Sequence, residues 1–188
     1  MSKKLLGLVV LGLLFISAPS KADDISDFEI EGMSIGDSLL DFFSEEELIK
    51  DFPYKNKKWA TISKAVSSFK TYGGFQAHVK ANDKRYIIGS IEGMILYEKN
   101  IEDCYKKQQD IIYELDNLFK KSKILEWNTP HDADPDSLVK TKQYMLQNGD
   151  IVRVTCVDWS VKKGFIDKLK VGLHSKELMQ WIENEAYE

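Results

Sequence analysis

Chemically distinctive residues are scarce in this chain. It contains two cysteines, three histidines and four prolines among 188 residues. The two cysteines do not form a C-x-x-C motif, which argues against a redox dithiol, and no glycine-rich phosphate-binding loop is present. After residue 18, no apolar run approaches the length of a membrane-spanning helix. We therefore expect no cofactor, no recognisable catalytic constellation and no membrane span beyond the N-terminal leader.

Basic residues are absent from one long stretch. Residues 23–49 contain ten acidic side chains and no lysine or arginine, and the whole chain has a formal net charge of −4. Binding to nucleic acid requires a contiguous basic surface, so we expect no nucleic-acid partner. The acidic segment itself is typical of a solvated surface.

The N-terminus has the features of a secretory signal. Lys3 and Lys4 precede an apolar run over residues 5–18, and the small residues Ser20 and Ala22 follow at the spacing of a cleavage site. The sequence therefore predicts that residues 1–22 are a cleaved signal peptide. It also predicts an exported protein, periplasmic or extracellular, whose mature domain covers residues 23–188.

The cysteines favour one structural disulfide. Cys104 lies on the apolar side of a predicted helix over residues 101–121, and Cys156 lies on the inward side of the alternating stretch 151–159. An even number of cysteines in an exported chain is typical of disulfide pairing. We therefore predict a Cys104–Cys156 bridge where a helix packs on a sheet. Two inert buried thiols or a redox pair are the alternatives.

Hydrophobic periodicity predicts an α+β fold. In the first half it indicates short helices at 38–43 and 45–52, a further helix at 58–70, and a β-hairpin over 73–98. After the helix at 101–121, the polar stretch 126–137 reads as a loop.

The second half adds strands and a final helix. Asn148-Gly149 predicts a hairpin turn between two strands, a strand follows at 167–175, and Ser175 is expected to cap the last helix. We therefore expect one domain with a short helical N-terminal segment. Its core would be an antiparallel sheet of about five strands, covered by helices on one face.

The sequence Gly36-Asp37-Ser38-Leu39 resembles the motif of the GDSL esterases and lipases. That resemblance implies a flavodoxin-like fold and a catalytic role for Ser38. The family also supplies a histidine base from a D-x-x-H motif, and none of the three histidines here follows an aspartate at that spacing. A structural interpretation explains the same residues, since Asp37 or Ser38 would cap a short helix with an acidic first turn.

A longer stretch, FEIEGMSIGDSLLDFFSEEE (residues 28–47), resembles the mature N-terminus of small, uncharacterised exported bacterial proteins. The helix sequence CYKKQQ and the strand sequence CVDWS (residues 104–109 and 156–160) extend the resemblance. It implies export and no particular activity.

Other polar residues suggest weaker candidate sites. His131, Asp132, Asp134 and Asp136 lie within six residues and resemble the first half of a calcium-binding loop. The glycine and glutamate that complete such a loop are missing, so a solvated loop is the preferred interpretation.

The other two histidines and three of the tryptophans are weaker candidates for a binding site. His78 is predicted to be exposed on the polar side of its strand, and His174 to mark the end of a strand. Three tryptophans could line a ligand groove or fill the core: Trp127, Trp159 and Trp181.

The sequence therefore favours a non-enzymatic exported domain. Its expected partner is an envelope component or a small ligand, bound by the sheet face that the helices leave uncovered or by the acidic N-terminal segment. A degenerate esterase that uses Ser38 is the alternative.

Overall fold

The computed structural model describes residues 25–98 and 100–187. This part of the chain contains seven β-strands, two α-helices and four single turns of 3-10 helix. The strands are β1 (Trp59–Ala65), β2 (Gly74–Lys80), β3 (Ile88–Tyr97), β4 (Lys123–His131), β5 (Asp134–Met145), β6 (Ile151–Asp158) and β7 (Asp167–His174). The helices are α1 (Ile101–Leu118) and α2 (Lys176–Asn184).

All seven strands form one antiparallel sheet in the order β1-β2-β3-β7-β6-β5-β4. Strands β1 to β3 form one meander and β4 to β7 form a second, and the two meet where β7 pairs with β3. Helix α1 joins the meanders by crossing from the centre of the sheet to its far edge. The centre of the sheet is thus built from strands that are distant in the sequence.

Helix α1 covers one face of the sheet, mainly over β6 and β7. Asn100 caps its N-terminus, because the side-chain oxygen accepts a hydrogen bond of 3.0 Å from the backbone N–H of Glu102. Cys104 on α1 is joined to Cys156 on β6, with a Cα–Cα distance of 6.1 Å. The predicted disulfide is therefore confirmed, and it fixes the helix to the buried face of a central strand.

The N-terminal segment packs over the same apolar face. Ile30, Met33 and Leu39 are buried in the main core, and the ring of Phe28 lies 5.0 Å from that of Phe119. Its carboxylates serve partly as internal acceptors. Glu31, for example, accepts hydrogen bonds from three successive backbone N–H groups at residues 70–72. The acidic stretch is therefore an integral cover of the core.

The two helices predicted in this segment are shorter than expected. The structure has single 3-10 turns at Leu39–Asp41 and Glu45–Glu47. The backbone around the first turn is already bonded to a distant segment, since the N–H of Leu39 donates to the carbonyl of Tyr86. Ser44 then has an extended backbone (ψ 157°) as the cap of the next turn, so the first turn cannot continue as a helix.

The helix predicted at 58–70 is wrong, because strand β1 occupies its first half. Trp59, Ala60, Thr61 and Ile62 are all buried, so both faces of the strand are covered at its start. The sequence of this strand therefore does not alternate between apolar and polar residues. Its apolar residues recur instead at the spacing of a helix, which explains the wrong prediction. Tertiary packing decides the outcome here.

The loop predicted at 126–137 is also wrong. Strands β4 and β5 run through it as a hairpin with a turn at residues 132 and 133. Strand β4 is an edge strand with mostly exposed side chains, so it has no apolar face to give an alternating pattern. Pro130 is tolerated because an edge strand can leave one side of its backbone unpaired.

The predicted fold class is correct only in its coarse features. The sheet is antiparallel and carries one disulfide, but it has seven strands rather than about five, and the described chain is mostly sheet. The helices also lie on both faces, since α2 packs through Trp181 against Trp59 on the face opposite to α1. The sheet extends beyond α1 and α2, so each face is only partly covered.

The predicted signal peptide, residues 1–22, lies outside the described residues. Within 25–98 and 100–187, neither helix combines the length and the apolar character needed to cross a lipid bilayer.

Candidate functional site

The face of the sheet opposite to α1 is rich in polar and charged side chains, and we call it the polar face. Strand alternation places on it residues from the five strands β1, β2, β3, β7 and β6, and the cross-strand register brings them side by side. The polar face comprises Thr61, Ser63, Gln76, His78, Ser90, Glu92, Lys168, Lys170, His174, Arg153 and Thr155.

A pocket of about 400 Å³ opens on this face, and we call it the polar pocket. Its floor is the sheet, and one wall is α2, which contributes Met179 and Ile182. Pro53 and Tyr54, in the segment before β1, close another side. A volume of this size is typical of sites that hold small organic ligands.

An ion pair lies in the floor of the polar pocket. The Lys170 ammonium contacts the Glu92 carboxylate and also donates to the side-chain oxygen of Gln76 at 3.2 Å. Burial alone would raise the pKa of Glu92, but the neighbouring ammonium outweighs it and brings the pKa down to about 2. Glu92 is therefore a buried carboxylate that stays charged at neutral pH.

His174 lies beside this pair and stays neutral. Burial lowers the pKa of His174 to about 3, against the opposing field of Glu92. Its Nε2 atom is 3.8 Å from Glu92 Oε1, too far for a hydrogen bond. A side chain on Gly172 would not fit here, because its Cβ would lie only 2.6 Å from that nitrogen. Glycine at this position lets the imidazole lie across the strand.

His78 forms a hydrogen-bonded chain with Tyr54 and Ser90 in the pocket. Its Nε2 is 3.1 Å from the hydroxyl of Tyr54, and its Nδ1 is 3.2 Å from the hydroxyl of Ser90. Burial lowers the pKa of His78 and raises that of Tyr54 to about 12, so both groups are neutral at pH 7. The prediction that His78 is exposed is wrong, since α2 and the segment before β1 cover it. Ser90 is fully buried and cannot reach a bound ligand.

Arg153 supplies a second positive charge to the polar pocket. Its Nε and Nη2 atoms both donate to Gln143 Oε1, at 3.1 and 2.7 Å, and its guanidinium lies 5.8 Å from the ring of Trp127. Burial lowers the pKa of Arg153, but a guanidinium remains charged in proteins. Within residues 25–98 and 100–187, no carboxylate forms an ion pair with it.

Two buried polar atoms in the polar pocket lack hydrogen-bond partners. They are the hydroxyl oxygen of Thr61 and Nε2 of His174. Both atoms, like the Ser90 hydroxyl, are shielded from solvent, so a ligand in the pocket does not reach them. The polar groups that a ligand can reach are therefore the partly exposed side chains of the floor, such as Gln76 and Arg153.

The motif serine does not lie in this pocket. Ser38 is the N-cap of the 3-10 turn Leu39–Asp41, where its oxygen accepts from the N–H of Leu40 at 3.1 Å. Its hydroxyl donates to the backbone carbonyl of Arg85 at 2.5 Å. Neither partner is a base, and the flavodoxin-like fold of the esterases is also absent from the described chain. The geometry gives no support to a nucleophilic Ser38.

The acidic cluster after β4 is divided among different partners. Asp134 accepts hydrogen bonds of 2.6 Å from the hydroxyls of Ser137 and Ser160, while Asp136 pairs with Lys162 at 2.7 Å. Asp132 is exposed. No group of three or more metal-ligating side chains occurs among the residues that the structure describes. The calcium hypothesis for Asp132, Asp134 and Asp136 gains no support.

The tryptophans have separate surroundings, and none of them lines the polar pocket. Trp181 belongs to α2, and its side chain is buried against Trp59 of β1. The ring of Trp159, just after β6, lies 4.3 Å from that of His131 and is tilted by 39° relative to it. Trp127 lies beside Arg153 but does not line the pocket.

Sequence reasoning missed most of the residues that define the pocket. The alternation in β6 and β7 already placed Arg153 and Lys170 on the outward side, but their proximity follows from the strand order. Glu92 carries a visible signal, because it is a lone carboxylate within an otherwise apolar strand. Such a residue is costly to bury without a partner, and that cost could have marked it.

Comparisons with known proteins identify no relative. No family model, curated protein or solved structure matches this chain.

Proposed function

We propose that this protein is an exported, non-enzymatic binding domain that holds a small organic ligand in the polar pocket. The observation that carries the proposal is the combination of a pocket of about 400 Å³ with the guanidinium of Arg153 in its lining, which forms no ion pair in the described part of the chain. The uncovered sheet face was one of the two surfaces expected from the sequence. Export is supported by the leader-like N-terminus and by the disulfide.

The chemistry of the pocket favours binding over catalysis. The Glu92 carboxylate is already paired with Lys170, and the Ser90 hydroxyl next to His78 is fully buried. A general base must lie within hydrogen-bonding reach of the proton that it removes. His78 is engaged at both ring nitrogens, by Tyr54 and Ser90, so it acts as a structural element of the wall.

The acidic N-terminal segment is the weaker surface for binding. Several of its carboxylates already have partners within the protein. Glu31 accepts a hydrogen bond from the backbone N–H of Thr71, and Glu47 forms an ion pair with Lys64. The polar pocket, by contrast, contains N–H groups of Arg153 that meet no acceptor in the described part of the chain.

A fragment screen followed by two-dimensional amide NMR tests this proposal. Ser63 is exposed at the rim of the polar pocket, so Ser63→Trp should block the pocket without disturbing the core. Ser67→Trp adds the same bulk to an exposed turn outside the pocket and is the matched control. Fragments should shift the amide signals of Gln76 and Gly172 in the wild type and in Ser67→Trp, but not in Ser63→Trp. If no fragment shifts these signals, or if Ser63→Trp binds as well as the control, the proposal fails.

A further inference from the structure

Arg153 presents an unused recognition edge in the polar pocket. The hydrogen bonds to Gln143 use Nε–H and one hydrogen of Nη2, which form the side edge of the guanidinium. The end edge, formed by Nη1 and the second hydrogen of Nη2, meets no acceptor in the described part of the chain. Two parallel N–H groups at this edge match the two oxygens of a carboxylate.

Two carboxylates act electrostatically on this guanidinium, Glu92 and Glu183 on α2, but neither forms an ion pair with it in the described part of the chain. Lys170 and Glu92 neutralise each other, and the two pocket histidines are neutral at pH 7. Glu183 does not line the pocket, so Arg153 is the lining side chain at this end whose charge has no ion-pair partner. The other carboxylate that lines the pocket, Asp51, bridges to β1 at the far edge of the sheet, four strands away from β6. Asp51 lies one further spacing beyond β1, so at the usual strand spacing it is roughly 24 Å from β6, too far to neutralise the guanidinium.

The opposite wall of the pocket is apolar. Met179 and Ile182 from α2 face the same space, and Pro53 lies beside them. Tyr54 and Tyr187 add aromatic surface, with their ring centroids 5.9 Å apart. A ligand that neutralises Arg153 at one end would place its remaining atoms against this wall.

We infer that the ligand is an amphipathic carboxylic acid whose carboxylate binds to the end edge of Arg153 and whose apolar body packs against α2. This inference rests on the proposed binding function of the polar pocket and names the class of its ligand. A buried guanidinium without a carboxylate partner is unfavourable, so occupation by a carboxylate would gain both ion pairing and hydrogen bonds. Specificity for a carboxylate then comes from the geometric match between the two parallel N–H groups of the planar guanidinium and the two carboxylate oxygens.

Matched pairs of acids and amides test the inference directly. Hexanoate and hexanamide, and 3-phenylpropanoate and 3-phenylpropanamide, have the same body and differ in the charged group. Isothermal titration calorimetry should show the acids binding about tenfold or more tightly than the amides, as expected for a hydrogen-bonded charge pair. Equal binding of acid and amide in the pocket would overturn the inference and leave the binding function intact. If neither the acids nor the amides bind, the binding function fails as well.

Three variants distinguish the effect of the guanidinium from that of the general positive charge on the polar face. Arg153→Gln keeps a donor for Gln143 and should abolish the preference for the acid while retaining binding of the amide. Lys168→Gln removes an equal charge from the same face outside the pocket, and should keep the preference. Arg153→Lys should recover only part of it, because an ammonium lacks the planar fork. A preference that survives in Arg153→Gln, or is lost equally in Lys168→Gln, contradicts the inference.

Discussion

Glu92 on β3 and Lys170 on β7 form a buried ion pair at the junction of the two meanders that build the sheet. Their side chains are only 11% and 20% exposed, and the pair lies in the floor of the polar pocket. Because each neutralises the other, the charge of Arg153 on the neighbouring strand β6 remains available to a ligand. The same contact thus supports the sheet and sets the charge of the pocket.

Removing either member of the pair should destabilise the fold. Glu92→Leu leaves the ammonium of Lys170 without its main partner, and Lys170→Met leaves a buried carboxylate. We expect each single variant to lower the free energy of unfolding by roughly 3 kcal/mol. The double variant should recover most of the loss, because apolar replacements of a buried pair are often nearly neutral. Urea unfolding of the four proteins gives the coupling energy, and two additive losses would contradict the proposed pairing.

Stability should fall as the pH drops below neutral. His174 has its usual pKa near 6.5 when unfolded and about 3 when folded, so the unfolded state binds its proton first. The resulting stability is complete above pH 6.5 and is lost as the pH falls toward 3. The shift predicts a loss of about 2 kcal/mol between pH 7.5 and pH 5. Glu92, with its pKa lowered to about 2, adds a further loss only below its usual range near 4.5.

Urea unfolding at the two pH values measures this effect. His174→Gln has no proton to bind in that range and should lose most of the difference between pH 7.5 and pH 5. His78 has a pKa lowered by burial too, so a smaller dependence should remain. A wild-type stability that is equal at both pH values would contradict the buried, neutral state of His174.

The disulfide should contribute a large share of the stability. Cys104 and Cys156 are separated by 52 residues, and closing a loop of that length corresponds to about 4 kcal/mol in the chain-entropy model. The double variant Cys104→Ala/Cys156→Ala should therefore unfold at a clearly lower urea concentration than the oxidised wild type. Wild type treated with reductant should behave in the same way. An unchanged midpoint in both samples would show that the bridge has no constraining role.

Ser38 should behave as a structural cap with two hydrogen bonds. Ser38→Ala removes the bond from Leu40 and the bond to the Arg85 carbonyl, and should lower stability by roughly 0.5–2 kcal/mol. Ser38→Asp can still accept from Leu40 but cannot donate to Arg85, so it should restore only part of the loss. Thermal melts compare the three proteins. A Ser38→Ala variant that is more stable than wild type would instead favour a strained, activated serine.

Local sequence patterns predicted the helices and strands that have one apolar face and one polar face. Helix α1 has a capping Asn100 and one apolar face, and strands β6 and β7 alternate regularly, so both their structure and the bridge at Cys104 were predictable. Strand β1 was missed because both of its faces are covered at its start. Strand β4 was missed because it is an edge strand and neither of its faces is deeply buried.

The polar pocket could be predicted only in part. Alternation placed Arg153 and Lys170 on the outward side of their strands, but no local pattern shows that β7 lies between β3 and β6. That strand order is what brings Glu92 next to Lys170. The burial of His78 likewise depends on α2 and on the segment before β1, whose positions follow from the tertiary fold.

The most direct test of a carboxylate site in the polar pocket uses the two arginines of the chain, Arg85 and Arg153. Selective ¹⁵N labelling of arginine gives side-chain NMR signals from these two residues, and the side chain of Arg85 is 80% exposed and distant from the pocket, so it is an internal control. Titration with hexanoate should shift the Nε and Nη signals of Arg153 in a saturable way and leave those of Arg85 unchanged, while hexanamide should need a clearly higher concentration to shift those of Arg153. Equal small shifts at both arginines, or no shift at Arg153, would contradict the assignment of this guanidinium as the ligand's anchor.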